Sequence, residues 1–300
     1  MRVLVTGGTG LLGYNLVKVL SPLGYDVYAT HHGHEPPQVE GVKWFKLNLE
    51  EPGTVVDVLN TLKPNIIIHT AAYTDVDGCE VYKERAFTVN YIATRAIARQ
   101  AAKHNIFLVY ISTDYVFDGE KGLYKENDTP NPVNYYGLTK LLGEVAVTST
   151  LDEKESLIVR ISGLYGYSPT GKKNFGINAL EKLLHGEEVV AFADQYVSPT
   201  YAYFLSERIA KAIEKRVHGV IHIAGQRMSR LEFAVLLARI LRADEKLVKP
   251  ATIKQFKFVA RRPKDSSLDT SYAKSIDLDM PPQEECIKHL VDMYLREVKR

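Results

Sequence analysis

Short apolar runs alternate, through the first half of the chain, with longer segments in which apolar residues recur every three or four positions. The short runs predict buried strands, and the longer segments predict amphipathic helices. The predicted strands are residues 3–5, 26–30, 43–47, 66–69, 107–112 and 157–161. The predicted helices are the segment that carries Leu12, Leu16, Val19 and Leu20, and residues 50–63, 83–104 and 135–148. This alternation predicts an α/β fold with a doubly wound parallel sheet, in which ligands bind beyond the carboxyl ends of the strands.

The pattern after residue 162 is less regular. Residues 163–175 are expected to form a loop, followed by a helix to residue 185 and an edge strand at residues 188–192. Residues 219–224 predict a strand that returns to the main sheet, and residues 229–232 form a capping box that opens a helix of simple core packing.

The length of the chain, 300 residues, predicts either one large domain or two interleaved ones. We expect a dinucleotide-binding domain at residues 1–162, joined by a returning segment near residues 200–225. The remaining residues 163–300 are expected to form mainly a smaller, substrate-binding domain.

Three glycines follow the first strand at intervals of three residues: Gly7, Gly10 and Gly13. Gly7 permits a sharp turn, Gly10 lets the backbone approach a pyrophosphate, and Gly13 lets the helix lie close to the strand. The helix then directs its unpaired N–H groups and the positive end of its dipole at the phosphates. The motif therefore predicts a Rossmann-like dinucleotide site, with a purely structural glycine turn as the alternative.

The end of the second strand bears on the choice of cofactor. An acidic residue about twenty positions after the glycines would hold the ribose 2′-hydroxyl of NAD. This chain has Thr30-His31-His32-Gly33-His34 instead, and His31 or His32 could donate a hydrogen bond to a 2′-phosphate. We expect NADP(H), with NAD(H) as an alternative. No metal is expected, because no spaced carboxylate or cysteine joins these histidines.

Charge and cysteine content limit the classes of partner. The formal net charge is only +2, so no nucleic-acid partner is expected. Cys79 and Cys286 are far apart and show no metal-binding or redox spacing, which fits a reducing compartment. The first strand begins at residue 2 and no apolar run is long enough for a bilayer, so we expect a cytoplasmic protein without a membrane partner.

Tyr136 and Lys140 are four residues apart and therefore project from one face of their predicted helix. The ammonium is expected to lower the pKa of the phenol toward the working range of a general acid. The spacing alone is weak, since Tyr14 and Lys18 repeat it on the first helix. Only Tyr136 follows a strand that ends in Ser112-Thr113, which places a further hydroxyl beside the same reaction centre.

Several spaced motifs together resemble a family, the extended short-chain dehydrogenases/reductases. The motifs are TGGTGLLG, AAYTDVD at residues 71–77, STDYVFDG at 112–119, NYYGLTKLLGE at 134–144, DQYVSPT at 194–200 and ARRPKDSSLD at 260–269. Within that family, nearly the whole chain is similar to dTDP-4-dehydrorhamnose reductases. The resemblance implies reduction of the C4 ketone of a nucleotide-activated deoxysugar, dTDP-4-dehydro-L-rhamnose in the first instance.

The resemblance implies roles for individual residues. Tyr136 would be the proton donor, Lys140 would tune it and bind the nicotinamide ribose, and Thr113 would hydrogen-bond the carbonyl oxygen. Asn90 matches a family asparagine, although a helix-packing amide is an equal alternative. The implied cofactor-binding residues are Gly7, Thr9, Gly10, Leu11, Leu12, Gly13, His31, Ala71, Ala72, Tyr73, Thr74, Asn90, Tyr136 and Lys140. The implied substrate-binding residues are Thr113, Asp114, Asn174, Phe175 and Arg262.

Arg262 belongs to a basic stretch, residues 254–264, that is interleaved with Phe256 and Phe258. A planar guanidinium suits bidentate binding of phosphate, so Arg262 or Arg261 is favoured as a clamp on the substrate diphosphate. A solvated basic face is the alternative.

The triplet Thr113-Asp114-Tyr115 separates reduction from dehydration. Related nucleotide-sugar dehydratases carry Thr-Asp-Glu at this place, where the acid pair serves elimination of water. Without the glutamate, a base for the C5 proton is missing, and reduction is favoured.

The sequence also departs from the reductase pattern. Gly163 replaces a tryptophan that packs on the sugar, which leaves another 4-keto nucleotide sugar open as substrate. Asn15 and Tyr203 replace carboxylates that bridge a metal between subunits, which argues against that dimer; a homodimer through residues 83–104 and 135–148 is expected by analogy. A second hypothesis is a non-catalytic regulatory subunit, because the beta subunit of methionine adenosyltransferase resembles the same motifs.

Overall fold

A parallel β-sheet forms the centre of the computed structural model, which describes residues 1–170 and 173–298. The strands are β1 (Arg2–Thr6), β2 (Asp26–His31), β3 (Val42–Lys46), β4 (Ile66–His69), β5 (Phe107–Thr113), β6 (Ser156–Tyr165), β7 (Val189–Phe192), β8 (Tyr196–Val197), β9 (Pro199–Tyr201), β10 (Gly219–His222), β11 (Met228–Ser229) and β12 (Val248–Ala251). The main sheet has the order β10-β6-β5-β4-β1-β2-β3, its neighbours are parallel, and β9 pairs with β6 outside this path. The predicted doubly wound α/β fold is therefore confirmed.

Helices cover both faces of this sheet. They are α1 (Leu11–Leu20), α2 (Pro52–Leu62), α3 (Val76–Val81), α4 (Lys83–Phe87), α5 (Ala93–His104), α6 (Tyr135–Thr148), α7 (Phe175–Leu184), α8 (Ala202–Glu214), α9 (Arg230–Leu241), α10 (Ser271–Ser275) and α11 (Gln283–Val298). None of the helices in the described part of the chain combines the length and apolar character needed to cross a bilayer.

The alternation of side chains along the central strands builds two cores. Val3 and Val5 point to the face covered by α1 and α8, whereas Leu4 points to the face covered by α2 and α5. Residues on a strand alternate between its two faces, so a strand buried on both sides must be apolar throughout. This explains why Ile66–His69 reads as one continuous apolar run.

A third core lies beyond the sheet. It is formed by β7, β12, α7, α9 and α11, and its fully buried members include Leu180, Leu237, Ile287 and Leu290. The capping box predicted at the start of α9 is present, because the Ser229 hydroxyl accepts from the Glu232 amide and the Glu232 carboxylate accepts from the Ser229 amide.

The predicted helix at residues 83–104 is interrupted. It consists of α4, a π-helical turn at Thr88–Ile92, and α5. A π-turn inserts one residue into the helical ladder, and such turns often occur at functional sites. Here the turn contains Asn90, one of the residues implied by the family resemblance.

After residue 162, one expectation is corrected and two are confirmed. Residues 163–175 are not all loop, because β6 continues through Gly163, which has φ 51°, to Tyr165 and pairs there with β9. The predicted edge strand at 188–192 is confirmed as β7, which pairs in parallel with β12 in a separate two-stranded sheet. The predicted return of residues 219–224 is confirmed as β10, which pairs with β6.

Candidate active site

The glycine turn has the geometry of a phosphate-binding turn. Gly7 has φ 69°, and a Cβ there would lie 2.9 Å from the Cα of Ala71 on the neighbouring strand end. A Cβ on Gly13 would lie only 2.2 Å from the carbonyl oxygen of Gly7. Both positions therefore require glycine. Gly10 is the N-cap of α1 and offers no side-chain cap, and the first turn of α1 has no acidic residue, so its N–H groups suit an anionic ligand.

Hydrogen bonds fix the loop after β4 against the π-turn. The Asn90 side chain accepts from the Tyr73 amide (2.8 Å) and donates to the Tyr73 carbonyl (3.1 Å) and to the Thr139 hydroxyl (3.0 Å). Asn90 thereby holds the loop of Ala71, Ala72, Tyr73 and Thr74 close to α6. The buried amide acts here as a packing group, and its implied role in cofactor binding stays a prediction.

Tyr136 and Lys140 lie on one face of α6, as their spacing predicts. Lys140 is buried, and its Nζ donates to the carbonyl oxygen of Ile111 (2.7 Å) and lies 4.1 Å from the centre of the Tyr110 ring. Burial lowers the pKa of Lys140 to about 7, and the Glu144 carboxylate counteracts that shift. The ammonium is thus anchored on β5 by the Ile111 carbonyl.

The predicted lowering of the Tyr136 pKa by Lys140 is wrong for the protein chain alone. Burial and the neighbouring Asp114 carboxylate raise the pKa of Tyr136 well above its ordinary value, and only a hydrogen bond with Thr113 acts in the opposite direction. The physical reason is desolvation, which disfavours a phenolate. Tyr136 is therefore held as a protonated phenol, the form that a proton donor needs.

Thr113 ends β5 and Asp114 follows it, and both lie beside Tyr136. The Thr113 hydroxyl accepts from the Tyr115 amide (3.2 Å) and donates to the Asp114 carboxylate (3.0 Å). That carboxylate is buried and also accepts from Ser162 (2.8 Å) and Ser266. Burial raises the pKa of Asp114 to about 6, against the stabilising effect of these hydroxyls. Asp114 therefore joins three segments, and its predicted substrate contact remains untested.

A cavity of about 240 Å³ lies near these residues, because the charges of Asp114 and Tyr115 act on Arg230, which lines it. Its lining combines aromatic and apolar side chains with cationic and amide groups: Phe175, Val190, Phe192, Gln195, Arg230, Phe258 and Arg262. Arg230 lies 5.0 Å from the centre of the Phe175 ring, and Arg262 lies 4.8 Å from that of Phe258. Two guanidinium groups supported by aromatic rings are suited to an anionic, partly planar ligand.

Two other predicted contacts are engaged within the chain. The Asn174 side chain caps α7 by accepting from the Ile177 amide (3.2 Å) and donates to the Gly166 carbonyl (2.7 Å), so it shapes the loop before α7. His31, at the end of β2, has its Nδ1 within 3.0 Å of the His34 carbonyl. Asn15 donates to the Leu11 and Tyr167 carbonyls.

Arg230 was not predicted as a site residue, because the sequence pattern around it indicates only a packing helix. Arg230 is the first residue of α9, where a cation opposes the helix dipole. This unfavourable charge placement is a local sign that Arg230 has a role other than stabilising the helix. Its Nε donates to the Gln195 side chain (2.8 Å), which turns the guanidinium toward the cavity.

The sheet order, the glycine turn and the Tyr136–Lys140 pair define an extended short-chain dehydrogenase/reductase. Within that class, the chain belongs to the family described as RmlD substrate binding domain, whose profile matches residues 1–296. The predicted NAD(P)-dependent oxidoreductase, similar to dTDP-4-dehydrorhamnose reductases, is thereby confirmed at the level of the family.

Three relatives illustrate this membership. A hypothetical dTDP-4-dehydrorhamnose reductase from Sulfolobus tokodaii is 40% identical, with a TM-score of 0.82 over 95% of this chain and 98% of that one. A dTDP-4-dehydrorhamnose reductase from Bacillus anthracis, solved with NADP, is 32% identical, with a TM-score of 0.84 over 96% and 98%. The methionine adenosyltransferase 2 subunit beta of Bos taurus is 30% identical over 92% of this chain and 83% of its own length.

Proposed function

We propose that the protein reduces the C4 ketone of dTDP-4-dehydro-L-rhamnose to give dTDP-L-rhamnose, with NADPH as the hydride donor. The observation that carries this proposal is a juxtaposition. The Tyr136 phenol and the Thr113 hydroxyl stand at the same sheet edge as the glycine turn, and a cavity with two arginines opens beside them. The substrate carries two groups that match these features: a ketone, which would lie at Tyr136 and Thr113, and a diphosphate, which would lie at the two arginines.

The chain's own residues perform the acid half of the reaction. The glycine turn and the N-terminus of α1 would hold the cofactor, which would supply the hydride for the C4 carbon of the sugar. Tyr136 donates its phenolic proton to the carbonyl oxygen as the negative charge develops there. When the sugar binds, Thr113 turns its single hydroxyl proton from the Asp114 carboxylate to the same oxygen. Lys140, anchored on the Ile111 carbonyl, stabilises the resulting tyrosinate by its positive charge. The alcohol product retains the hydride and the proton.

The cavity is the proposed site of the substrate's nucleotide diphosphate. Arg230 and Arg262 bind the phosphates, and Phe175, Phe192 and Phe258 provide apolar surface for the thymidine or the sugar. This assigns the smaller domain proposed at residues 163–300 to substrate binding, with β10 returning to the main sheet.

Arg262→Ala should raise KM for the nucleotide sugar by about tenfold to a hundredfold, the range expected for losing charge-assisted hydrogen bonds. The affinity for NADPH should stay unchanged, because Arg262 lies at the cavity and not at the glycine turn. Steady-state kinetics with each ligand varied in turn tests this. An equal loss for both ligands would refute the assignment.

NADPH should be used at least as well as NADH. No carboxylate stands at the end of β2 to hold a ribose 2′-hydroxyl or to repel a 2′-phosphate, and His31 and His32 follow there. Measurement of KM for both cofactors at saturating sugar tests the prediction. A strict preference for NADH would contradict it.

The beta subunit of methionine adenosyltransferase supports a second candidate function, that of a regulatory subunit, because such proteins match over most of this chain. The purified protein should oxidise NADPH when dTDP-4-dehydro-L-rhamnose is added, and the oxidation should be absent without the sugar. Absence of turnover together with co-purification of a methionine adenosyltransferase would favour the second candidate. Turnover of only a different 4-keto nucleotide sugar would keep the chemistry and change the substrate, as Gly163 allows.

The homodimer and the cytoplasmic location are also proposals. The exposed face of α6 presents Leu138, which is 39% exposed, and Val145, which is 50% exposed. Apolar side chains on one exposed helix face are suited to pairing with the same face of a second subunit.

A further inference from the structure

The segment 259–269, which we call the strap, crosses from the third core to the catalytic strands. It is held there by groups of the N-terminal half. Asn134 donates to the Arg261 carbonyl (3.0 Å), the Asp265 amide donates to the Gly119 carbonyl (3.0 Å), and Ser266 donates to Asp114. The strap therefore carries Arg262 to the cavity on a backbone that is fixed relative to β5.

Asp77 makes a further tie, and this one reaches Arg262 itself. Its Oδ1 accepts from the Ala260 amide (2.8 Å), and its Oδ2 accepts from Nη2 of Arg262 (2.8 Å). One carboxylate thus binds both the strap backbone and the guanidinium. Burial tends to raise the pKa of Asp77, but the Ala260 amide and the Arg262 charge outweigh it and lower the pKa below its ordinary value.

The Arg262 side chain is fixed on three sides. Besides the bond to Asp77, its Nη1 donates to the Ala260 carbonyl (3.2 Å), and its guanidinium lies over the Phe258 ring. Its side chain is only 13% exposed. The adjacent Arg261 contrasts with it, since Arg261 pairs with Glu120 at the surface and both side chains are at least 60% exposed.

The guanidinium groups of Arg230 and Arg262 both line the cavity and repel each other, so a nearby negative charge would stabilise the pair. The positive charge of Arg262 acts on Arg230 and contributes to lowering the Arg230 pKa, after burial, which is the larger cause. A carboxylate paired with Arg262 reduces this repulsion and keeps the guanidinium from swinging into solvent. Ordering a long side chain in advance lowers the entropy lost when a ligand binds.

We propose that Asp77 is a positioning residue for the substrate: it presents Arg262 to the diphosphate of the nucleotide sugar and so contributes to substrate affinity without touching the reacting atoms. This rests on the proposed function, in which Arg262 binds the diphosphate. The two motifs AAYTDVD and ARRPKDSSLD would then serve the same binding site. Asp77 of the first and Arg262 of the second are separated by 185 positions in the sequence.

The test compares Asp77→Asn with Arg262→Ala, the double variant and the matched control Glu120→Gln, which breaks the exposed Arg261 pair. Calorimetric titration with dTDP and steady-state kinetics are measured for each. Asp77→Asn should weaken dTDP binding and raise KM for the sugar about tenfold, as expected for losing a hydrogen bond between charged groups. Its kcat at saturation should stay within about twofold, because the lost contact acts equally on bound substrate and transition state. NADPH affinity should not change, and Glu120→Gln should behave as the unmodified protein.

The possible results distinguish failure of the positioning role of Asp77 from failure of the proposed diphosphate site. The double variant should bind dTDP no more weakly than Arg262→Ala, because Asp77 acts through Arg262. If Arg262→Ala weakens binding and Asp77→Asn does not, or if Asp77→Asn binds more tightly, the positioning role is overturned while the substrate site stands. If neither variant affects dTDP, the proposed diphosphate site itself fails. Asp77→Ser, which also lacks the carboxylate, repeats the test should Asp77→Asn not fold.

Discussion

Tyr136→Phe should lower kcat for ketone reduction by about 10²–10⁴-fold, the contribution expected of a positioned general acid. The substitution removes only the hydroxyl, which is the proposed proton source for the developing alkoxide. The ring itself remains to pack edge-to-face on Tyr115, with the ring centres 5.9 Å apart. KM for the sugar and affinity for NADPH should therefore change little.

The chain offers a matched control for this substitution. Tyr14 and Lys18 have the same spacing on α1, and Tyr14 is also buried. Tyr14→Phe should leave kcat unchanged, because α1 presents its glycine-rich end and not its tyrosine to the cofactor. Stopped-flow or steady-state assays at saturating NADPH decide the point. Undiminished turnover by Tyr136→Phe would show that another group protonates the ketone.

Glu144→Gln should lower the free energy of unfolding by about 3–5 kcal/mol, the cost of removing one partner from a buried ion pair. Arg160 donates to both Glu144 carboxylate oxygens, at 2.9 Å from Nε and 2.7 Å from Nη2. The two side chains are 5% and 6% exposed, so the remaining guanidinium could not be rehydrated. Urea titration of the purified variant measures the loss.

The control for Glu144→Gln is Glu245→Gln. Glu245 pairs with Arg239 in the same two-bonded geometry, but that pair lies at the surface. Solvent screens such a pair, so its loss should leave the unfolding midpoint almost unchanged. Similar losses of stability for the two variants would contradict the claim that burial makes the Glu144–Arg160 pair important.

Glu144→Gln should also lower the pKa of Lys140, because the carboxylate that counteracts the effect of burial is gone.

The sheet could be predicted from the sequence because its strands are apolar on both faces and its helices show a regular period. The helix at 135–148 has the predicted bounds, since the Asn134 side chain caps it by accepting from the Gly137 amide (2.8 Å). The π-turn at Thr88–Ile92 could not be predicted, because one inserted residue barely alters an apolar period. The continuation of β6 was missed because Gly163 reads as a strand end, whereas pairing with β9 carries the strand onward.

The candidate site divides in the same way. Short-range spacing in the sequence was enough to predict Gly7, Gly13, Tyr136 and Lys140 as site residues. The structure places all four at one edge of the sheet. The tie between Asp77 and Arg262 depends on contacts between distant segments, and no local spacing encodes it. The effect of burial on the Tyr136 pKa could not be predicted from the sequence either. Residue spacing shows which charged side chain is near the phenol, but not how far the fold excludes water from it.

The central claim is that a hydride reaches the sugar C4 carbon while Tyr136 protonates the attached oxygen. The most direct measurement uses NADPH dideuterated at nicotinamide C4 with dTDP-4-dehydro-L-rhamnose, followed by nuclear magnetic resonance of the product. We expect dTDP-L-rhamnose carrying one deuterium at C4. A product formed without deuterium at that carbon, or no product at all from a protein that binds both ligands, would contradict it.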